Sequence, residues 1–459
     1  MGSYYMGEEI VVIGCGASGG TAAQFARKTD REANVTIFEK SEYSQYSKCA
    51  LPYLISGKID DPKKLVEFSE DWFSRAKINL FLSSEVTEIK NKRVYVKRGK
   101  RIIEKEYDKL IIATGAKSAI PPIKNIFDKD GGLKKGIFTL RTIDDALGIL
   151  NYIKNKKNVV IVGGGLIGLE AAEAFYNKKL NVTVVEMLPN ILPSMLDGDM
   201  SREVYNQLKG YINIFTDHLV TEIEGEERIK SVKIKNKNTR EEFDIPADVL
   251  IVSTGIKPDV YLAKSIGCKI GERGGIIINK RCETNVKDVY AVGDCTEGKD
   301  FVTNKSFVVG LGSIGVRQGI VAGINAAGGD IELFDGFLQT RTTKLFDIEI
   351  AAVGPISDNL DNIISGKFKG LTHPEYYPEG SQIIIKVLCN VRDKRIVGAQ
   401  AVGKNVAQRI NTMACAMLHK MSVDDFIKLE TAYAPPIAPT IDPLAAACEV
   451  VNMKLKRRS

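Results

Sequence analysis

Two stretches of the chain carry the same pattern of apolar and polar positions. Ile10-Val11-Val12-Ile13 is an unbroken apolar run, followed by a glycine-rich turn and a helix-compatible stretch from Thr21. A second apolar run, Val35-Thr36-Ile37-Phe38, then ends in Glu39. From Asn158 the order repeats: Val159-Val160-Ile161-Val162, a glycine turn, a helix through 171–175, and an apolar run over 182–185 that ends in Glu186. Apolar runs without alternation predict strands covered on both faces, as in a parallel sheet. Two such strand–helix–strand units, about 150 residues apart, predict two dinucleotide-type domains.

A second pair of echoes agrees. Tyr107-Asp108-Lys109-Leu110-Ile111-Ile112-Ala113-Thr114-Gly115 is mirrored by Ala247-Asp248-Val249-Leu250-Ile251-Val252-Ser253-Thr254-Gly255, each reading as a returning strand that closes a nucleotide unit. Beyond about residue 335 the texture changes. Segments 382–387 and 396–402 read as antiparallel strands, helices are predicted near 405–420 and 422–429, and a proline-rich stretch (Pro435, Pro436, Pro439, Pro443) precedes a last helix. The fold class expected is α/β: two Rossmann-like domains plus a C-terminal α+β domain. The boundaries expected are 1–118 with 247–334 for a discontinuous first domain, 119–246 for a second inserted into it, and 335–459 for the third.

The turns add chemistry. Gly14-Cys15-Gly16-Ala17-Ser18-Gly19 and Gly163-Gly164-Gly165-Leu166-Ile167-Gly168 are both GxGxxG. Each follows a strand and opens a helix, and the acid closing the next strand comes 25 residues on for Glu39 and 23 for Glu186. The glycines allow a tight turn and let a pyrophosphate approach the helix N-terminus, where free N–H groups and the dipole favour anions. The acid accepts ribose hydroxyls. Two such sites predict a flavin and a nicotinamide. FAD is expected on Gly14, Gly16, Ala17, Ser18, Gly19, Glu39, Lys40, Ala113, Thr114 and Gly115, with Gly293 and Asp294 reaching its ribityl or phosphate part. The nicotinamide dinucleotide is expected on Gly163, Gly165, Ile167, Gly168, Glu186 and Gly255. Met187-Leu188-Pro189 after Glu186 holds no arginine to meet a 2′-phosphate, so NADH is preferred over NADPH. A third GxGxxG, residues 310–315, lacks the strand-plus-acid context and is read as packing the flavin-side helix.

Composition narrows the class. The 459 residues carry a formal net charge of +7, too diffuse for nucleic acid, and no apolar run of about 18 residues to span a membrane. Residues Met1 to Glu9 lack a signal-peptide pattern, residues 2–7 are set apart as an arm, and the basic run 454–458 reads as a solvated tail. The eight cysteines show neither CxxC nor metal-ligand spacing, and no metal is expected. Reduced thiols in a cytoplasmic protein follow. Cys49 stands apart: it precedes a stretch able to open a helix and adjoins Lys48, which predicts a depressed pKa and a thiolate nucleophile. With no second cysteine nearby, its oxidised form is a mixed disulfide, a persulfide or a sulfenic acid.

This order of motifs resembles the FAD/NAD-linked disulfide reductases. Ser47-Lys48-Cys49-Ala50-Leu51-Pro52-Tyr53, Tyr376-Tyr377-Pro378 and Ala432-Tyr433-Ala434-Pro435-Pro436 resemble its single-cysteine branch: coenzyme A-disulfide reductases, NADH oxidases, NADH peroxidases and archaeal NAD(P)H sulfur oxidoreductases. The resemblance implies a homodimer joined by the third domain and a catalytic Cys49 beside the flavin. It implies Tyr376 and Tyr433 of the partner subunit near that cysteine, and Glu170 near the nicotinamide. The implied acceptor is a low-molecular-weight disulfide (coenzyme A disulfide) or a persulfide or polysulfide. Lys48 departs from the usual neutral residue and is expected to favour an anionic substrate. Peroxide- and oxygen-reducing relatives carry a histidine where this chain has Ala17, which counts against peroxide. NADH oxidase activity is the enzymatic alternative, and a non-catalytic flavin redox sensor or electron-transfer partner is the alternative of another class.

Overall fold

The structure, a computed structural model, describes residues 7–458. The arm before Gly7 lies outside the described residues. The first sheet is parallel, in the order Val289–Ala291, Lys109–Ile112, Glu9–Ile13, Asn34–Phe38, Asn79–Phe81. Alternate side chains of its central strand feed two different cores. Ile10 and Val12 pack with Ala22, Ala23 and Ala26 of helix Ala17–Thr29 and with Ala322 and Ala326 of helix Gly312–Ala326. Val11 and Ile13 pack with Val86, Ile89, Val94 and Val96 of an antiparallel three-stranded sheet. Both faces are therefore dry, which is why the strand carries no alternation.

The two helices approach closely. A Cβ on Gly319 would sit 2.4 Å from the Ser18 carbonyl oxygen, and one on Gly323 would sit 2.2 Å from that of Ala22. The third glycine motif thus opens a helix that packs on helix Ala17–Thr29 of the first glycine turn, as its sequence context predicts.

The second sheet repeats the design in the order Asn213–Phe215, Asn181–Val185, Asn158–Val162, Val249–Val252, Ile137–Phe138. Val249–Val252 pairs with Asn158–Val162, so the second unit runs past residue 246. The expected restart of the first domain at 247 is corrected to beyond Val252.

Between the units the chain crosses twice, and the crossings pair antiparallel as Ala116–Ser118 and Ile256–Pro258. Gly115 (φ +71°) and Gly255 (φ +102°) turn the chain into them. Reciprocal bonds then staple the crossing: Thr114 Oγ1 donates to Asp259 O at 2.6 Å and Thr254 Oγ1 to Ala119 O at 2.7 Å. The hydroxyls of the two Thr-Gly motifs are thereby used within the chain.

The third unit is an antiparallel sheet, Arg341–Leu345, Ile348–Val353, Ile396–Gly403, Gln382–Asn390, Ile363–Leu371. Helices Val406–Leu418, Val423–Phe426 and Pro443–Lys456 cover one face. Through Leu345, Ile350, Ala352, Ile384 and Val402 the other face joins the core of the second unit. Of the basic run expected as a solvated tail, Lys454–Lys456 ends the last helix with Leu455 buried against this sheet, while the four basic residues are exposed as expected. Among the described residues no helix is long and apolar enough to cross a membrane.

Candidate redox site

The glycine turns differ in what each glycine does. Gly14 (φ +101°) and Gly163 (φ +109°) need the left-handed region, and a Cβ would meet Ala113 O at 2.4 Å and Ser253 O at 2.5 Å. At Gly19 and Gly168 a Cβ would lie 2.0 Å from the carbonyl oxygens of Gly14 and Gly163. Gly16 and Gly165 are the contrast: nothing lies within 4 Å of either Cβ position. They cap the helices Ala17–Thr29 and Leu166–Asn177, so each helix N-terminus faces open room of the kind a pyrophosphate needs.

Each unit's acid is held against its turn. Glu39 accepts from Cys15 N at 2.7 Å and Ser41 N at 2.8 Å. Glu186 accepts from Gly164 N at 2.7 Å and Leu188 N at 2.8 Å. This duplication fixes a carboxylate beside each open glycine. Lys40 is exposed next to Glu39, and Ile167 projects its side chain from the first turn of the second helix. One neighbour was not visible in sequence: Lys237 Nζ donates to Met187 O at 3.1 Å, bringing a cation beside Glu186 where the local sequence offers none.

Gly293 (φ +79°) rests on Ser18, and its N–H donates to the buried Gln318 Oε1 at 2.7 Å. Asp294 follows and pairs with Arg141 Nη2 at 3.1 Å. Arg141 is fixed in turn, because its backbone N–H donates to Asp145, the acid of the Thr142–Asp145 capping box. Sequence reading missed Arg141; the capping box was the only local signal.

Cys49 lies in the short turn Lys48–Ala50 that leads into helix Leu51–Ser56, anchored by buried Leu51, Leu54 and Ile55. Its thiol is exposed, as is that of Cys415 on helix Val406–Leu418, whereas Cys15, Cys268, Cys282, Cys295, Cys389 and Cys448 are buried. The expected depressed pKa is corrected. The crowding of protein around the thiol pushes it up, and Glu170, Asp294 and Glu67 add to the rise, with Arg141 opposing. The helix it precedes is six residues long, too short for its dipole to outweigh that crowding and these carboxylates. Lys48 is surrounded by Arg141, Glu39, Asp294 and Lys40; burial first, then Arg141, lowers its ammonium.

Glu170 accepts from Thr343 Oγ1 at 2.6 Å, a bond from the third unit into the second. Burial raises its carboxyl, Thr343 pulls it back, and Glu173 adds to the rise. Glu173 pairs with Lys58 at 3.2 Å and accepts from Phe346 N at 3.2 Å. Tyr53, Lys58, Glu170, Glu173 and Lys344 line one crevice behind the cysteine's helix. Tyr376 and Tyr433 come together elsewhere, on the third unit, their hydroxyls 2.9 Å apart and their side chains 71% and 47% exposed. Among the described residues no group of three or more His, Cys, Asp or Glu could hold a metal ion.

Twin parallel sheets with twin glycine turns, and an exposed thiol ahead of a short helix, define a two-dinucleotide oxidoreductase. The chain belongs to the pyridine nucleotide-disulphide oxidoreductase family, whose profile matches residues 8–323, while that of the family's dimerisation domain matches 340–445. It is 36% identical to an NADH oxidase of Methanocaldococcus jannaschii, over 98% of this chain and 99% of that one. It is 34% identical to an NAD(P)H coenzyme A polysulfide/persulfide reductase of Pyrococcus horikoshii, over 97% and 99%. A solved NAD-dependent persulfide reductase of A. fulgidus superposes with a TM-score of 0.91 at 33% identity, over 98% of this chain and 83% of that one. The chain is thus an NAD(P)H-dependent flavoprotein oxidoreductase, and the open cradles at Gly16 and Gly165 fit the FAD and NAD(P)H that the family implies.

Proposed function

We propose that the protein reduces a low-molecular-weight disulfide, coenzyme A disulfide first, or a persulfide or polysulfide, through Cys49. The Cys49 thiolate attacks one sulfur of RSSR, forming Cys49–S–S–R and releasing RS⁻. Two electrons and a proton then return Cys49–S⁻ and RSH, so that NADH + H⁺ + RSSR gives NAD⁺ + 2 RSH. Bound FAD supplies the two-electron link between nicotinamide and thiol. The first cradle, Gly14 to Gly19 with Glu39, Lys40, Gly293 and Asp294, would hold the flavin. The second, Gly163 to Gly168 with Glu186, would hold the dinucleotide. The observation that carries this reading is the exposure of Cys49 beside Glu170 and Asp294, while its local sequence offers no second cysteine.

Tyr376 and Tyr433 lie on a different unit from Cys49, and the dimerisation-domain match supports a homodimer in which the partner's pair donates a proton to the leaving thiolate. The domains run 1–118 and from beyond 252 to 334 for FAD, 119–252 for the nicotinamide, and 335–459 for the interface. Glu186 favours NADH over NADPH, with Lys237 the cation that tolerates a 2′-phosphate. Lys48 favours an anionic substrate from beside Arg141. Eight free cysteines suit the reducing cytoplasm. Oxygen reduction is the second reading, favoured by the likeness to the M. jannaschii protein named an NADH oxidase.

Parallel anaerobic assays with coenzyme A disulfide and polysulfide, set against oxygen consumption, separate the two. Thiol release exceeds oxygen uptake, and Cys49→Ser abolishes the release. Intact thiol release in Cys49→Ser overturns the proposal.

A further inference from the structure

Two irregular loops carry the exposed tyrosines, and side-chain packing does little to hold residues so open to solvent. The Tyr376 loop is closed at its base by Thr372 N to Ser381 O at 2.9 Å and Ser381 N to Thr372 Oγ1 at 3.1 Å. The Tyr433 loop turns on Ala434 O, which accepts from Ile437 N and Ala438 N, both at 2.9 Å. The loops meet at two points. One is the hydroxyl pair itself; the other is His373 Nε2, 3.1 Å from Pro436 O.

A carbonyl only accepts, so Nε2 carries the proton. Nδ1 lies 2.8 Å from the Thr372 hydroxyl, so both ring nitrogens are engaged. The partners thus fix the ring's orientation, and it is steadied by stacking on Tyr377 at 5.7 Å and 19°. His373 stands three residues before Tyr376, and Pro436 three residues after Tyr433. A single phenol–phenol bond would let the loops pivot about it. A second bond, offset along both loops, fixes the direction in which the pair points.

We propose that His373 is a positioning residue that aims the Tyr376–Tyr433 pair at the leaving thiolate. This rests on the reading of those tyrosines given above. Within the pair one phenol donates to the other, so a single O–H is left to present outward, and its direction matters.

Stopped-flow reduction of the holoenzyme's flavin by NADH and steady-state thiol release from coenzyme A disulfide test it together. In His373→Ala, flavin reduction is unchanged and thiol release falls about tenfold. His373→Gln, whose amide N–H can reach the same carbonyl, restores most of the rate. In a Tyr433→Phe background, His373→Ala adds no further loss. If Tyr433→Phe alone costs nothing, the reading of the tyrosines fails, and the positioning role with it. If Tyr433→Phe is slow but His373→Ala is not, the positioning role alone fails. It also fails if His373→Ala costs as much in the Tyr433→Phe background, or if His373→Gln is as slow as His373→Ala.

Discussion

Replacing Thr343 by Val removes one hydroxyl and leaves the side-chain volume nearly unchanged. The lost bond is the 2.6 Å donation to Glu170 Oε1, made where Thr343 is 7% exposed and Glu170 half-buried. Burial already pushes the Glu170 carboxyl up, Thr343 pulls it back, and Glu173 pushes further; the variant therefore holds Glu170 higher still. A carboxyl raised in the folded state makes ionisation costly to the fold. Stability is fullest below the unfolded value and declines as pH rises through the folded one. A hydrogen bond to an ionised group contributes about 1.5–3 kcal/mol, and one to a neutral group about 0.5–1.5 kcal/mol. The stability gap between wild type and Thr343→Val should therefore widen by about 1 kcal/mol as pH rises from below the ordinary glutamate value through the raised folded one. Other groups facing the site, namely Cys49, Tyr53, Lys58, Glu173 and Lys344, are common to both proteins and cancel in the difference. Urea unfolding of the flavin-loaded dimer at a series of pH values reads the gap, and Thr343→Ser closes it. A gap that is absent, or that does not change with pH, refutes the reasoning.

Two further expectations concern packing and cofactor choice. Gly319→Ala puts a Cβ 2.4 Å from Ser18 O, so the helices must part by about 1 Å at a cost of about 1–3 kcal/mol; denaturation within about 0.5 kcal/mol of wild type would contradict the close approach. Lys237→Glu removes the cation beside Glu186 and lowers kcat/KM for NADPH about fivefold while leaving NADH within about twofold; equal losses with both nucleotides would show that Lys237 does not sense the 2′-phosphate.

What the sequence revealed was local. Ile10 to Ile13, Gly14 to Gly19 and Glu39 lie within one strand–helix–strand unit, so periodicity and spacing suffice to place them. Sheet membership is not local. Ala247 to Gly255 reads as an echo of 107–115, but its pairing to Asn158–Val162 is what assigns it to the second unit. The supporting residues escaped for the same reason. Arg141 meets Asp294, Thr343 meets Glu170, Lys237 meets Met187 and His373 meets Pro436, each across a loop of chain that no local pattern encodes. The Cys49 thiol went astray in the same way. Its sequence neighbours, Lys48 and the helix start, argue for a low pKa, whereas the protein packed around the thiol, with Glu170, Asp294 and Glu67 brought in from other segments, reverses the sign.

Peptide mass mapping after anaerobic exposure to coenzyme A disulfide, before and after adding NADH, addresses the sulfur chemistry most directly. A coenzyme A adduct should appear on Cys49 and vanish with NADH, leaving Cys15, Cys282 and Cys295 unmodified in their buried positions. Sustained release of coenzyme A while Cys49 stays unmodified would contradict the account.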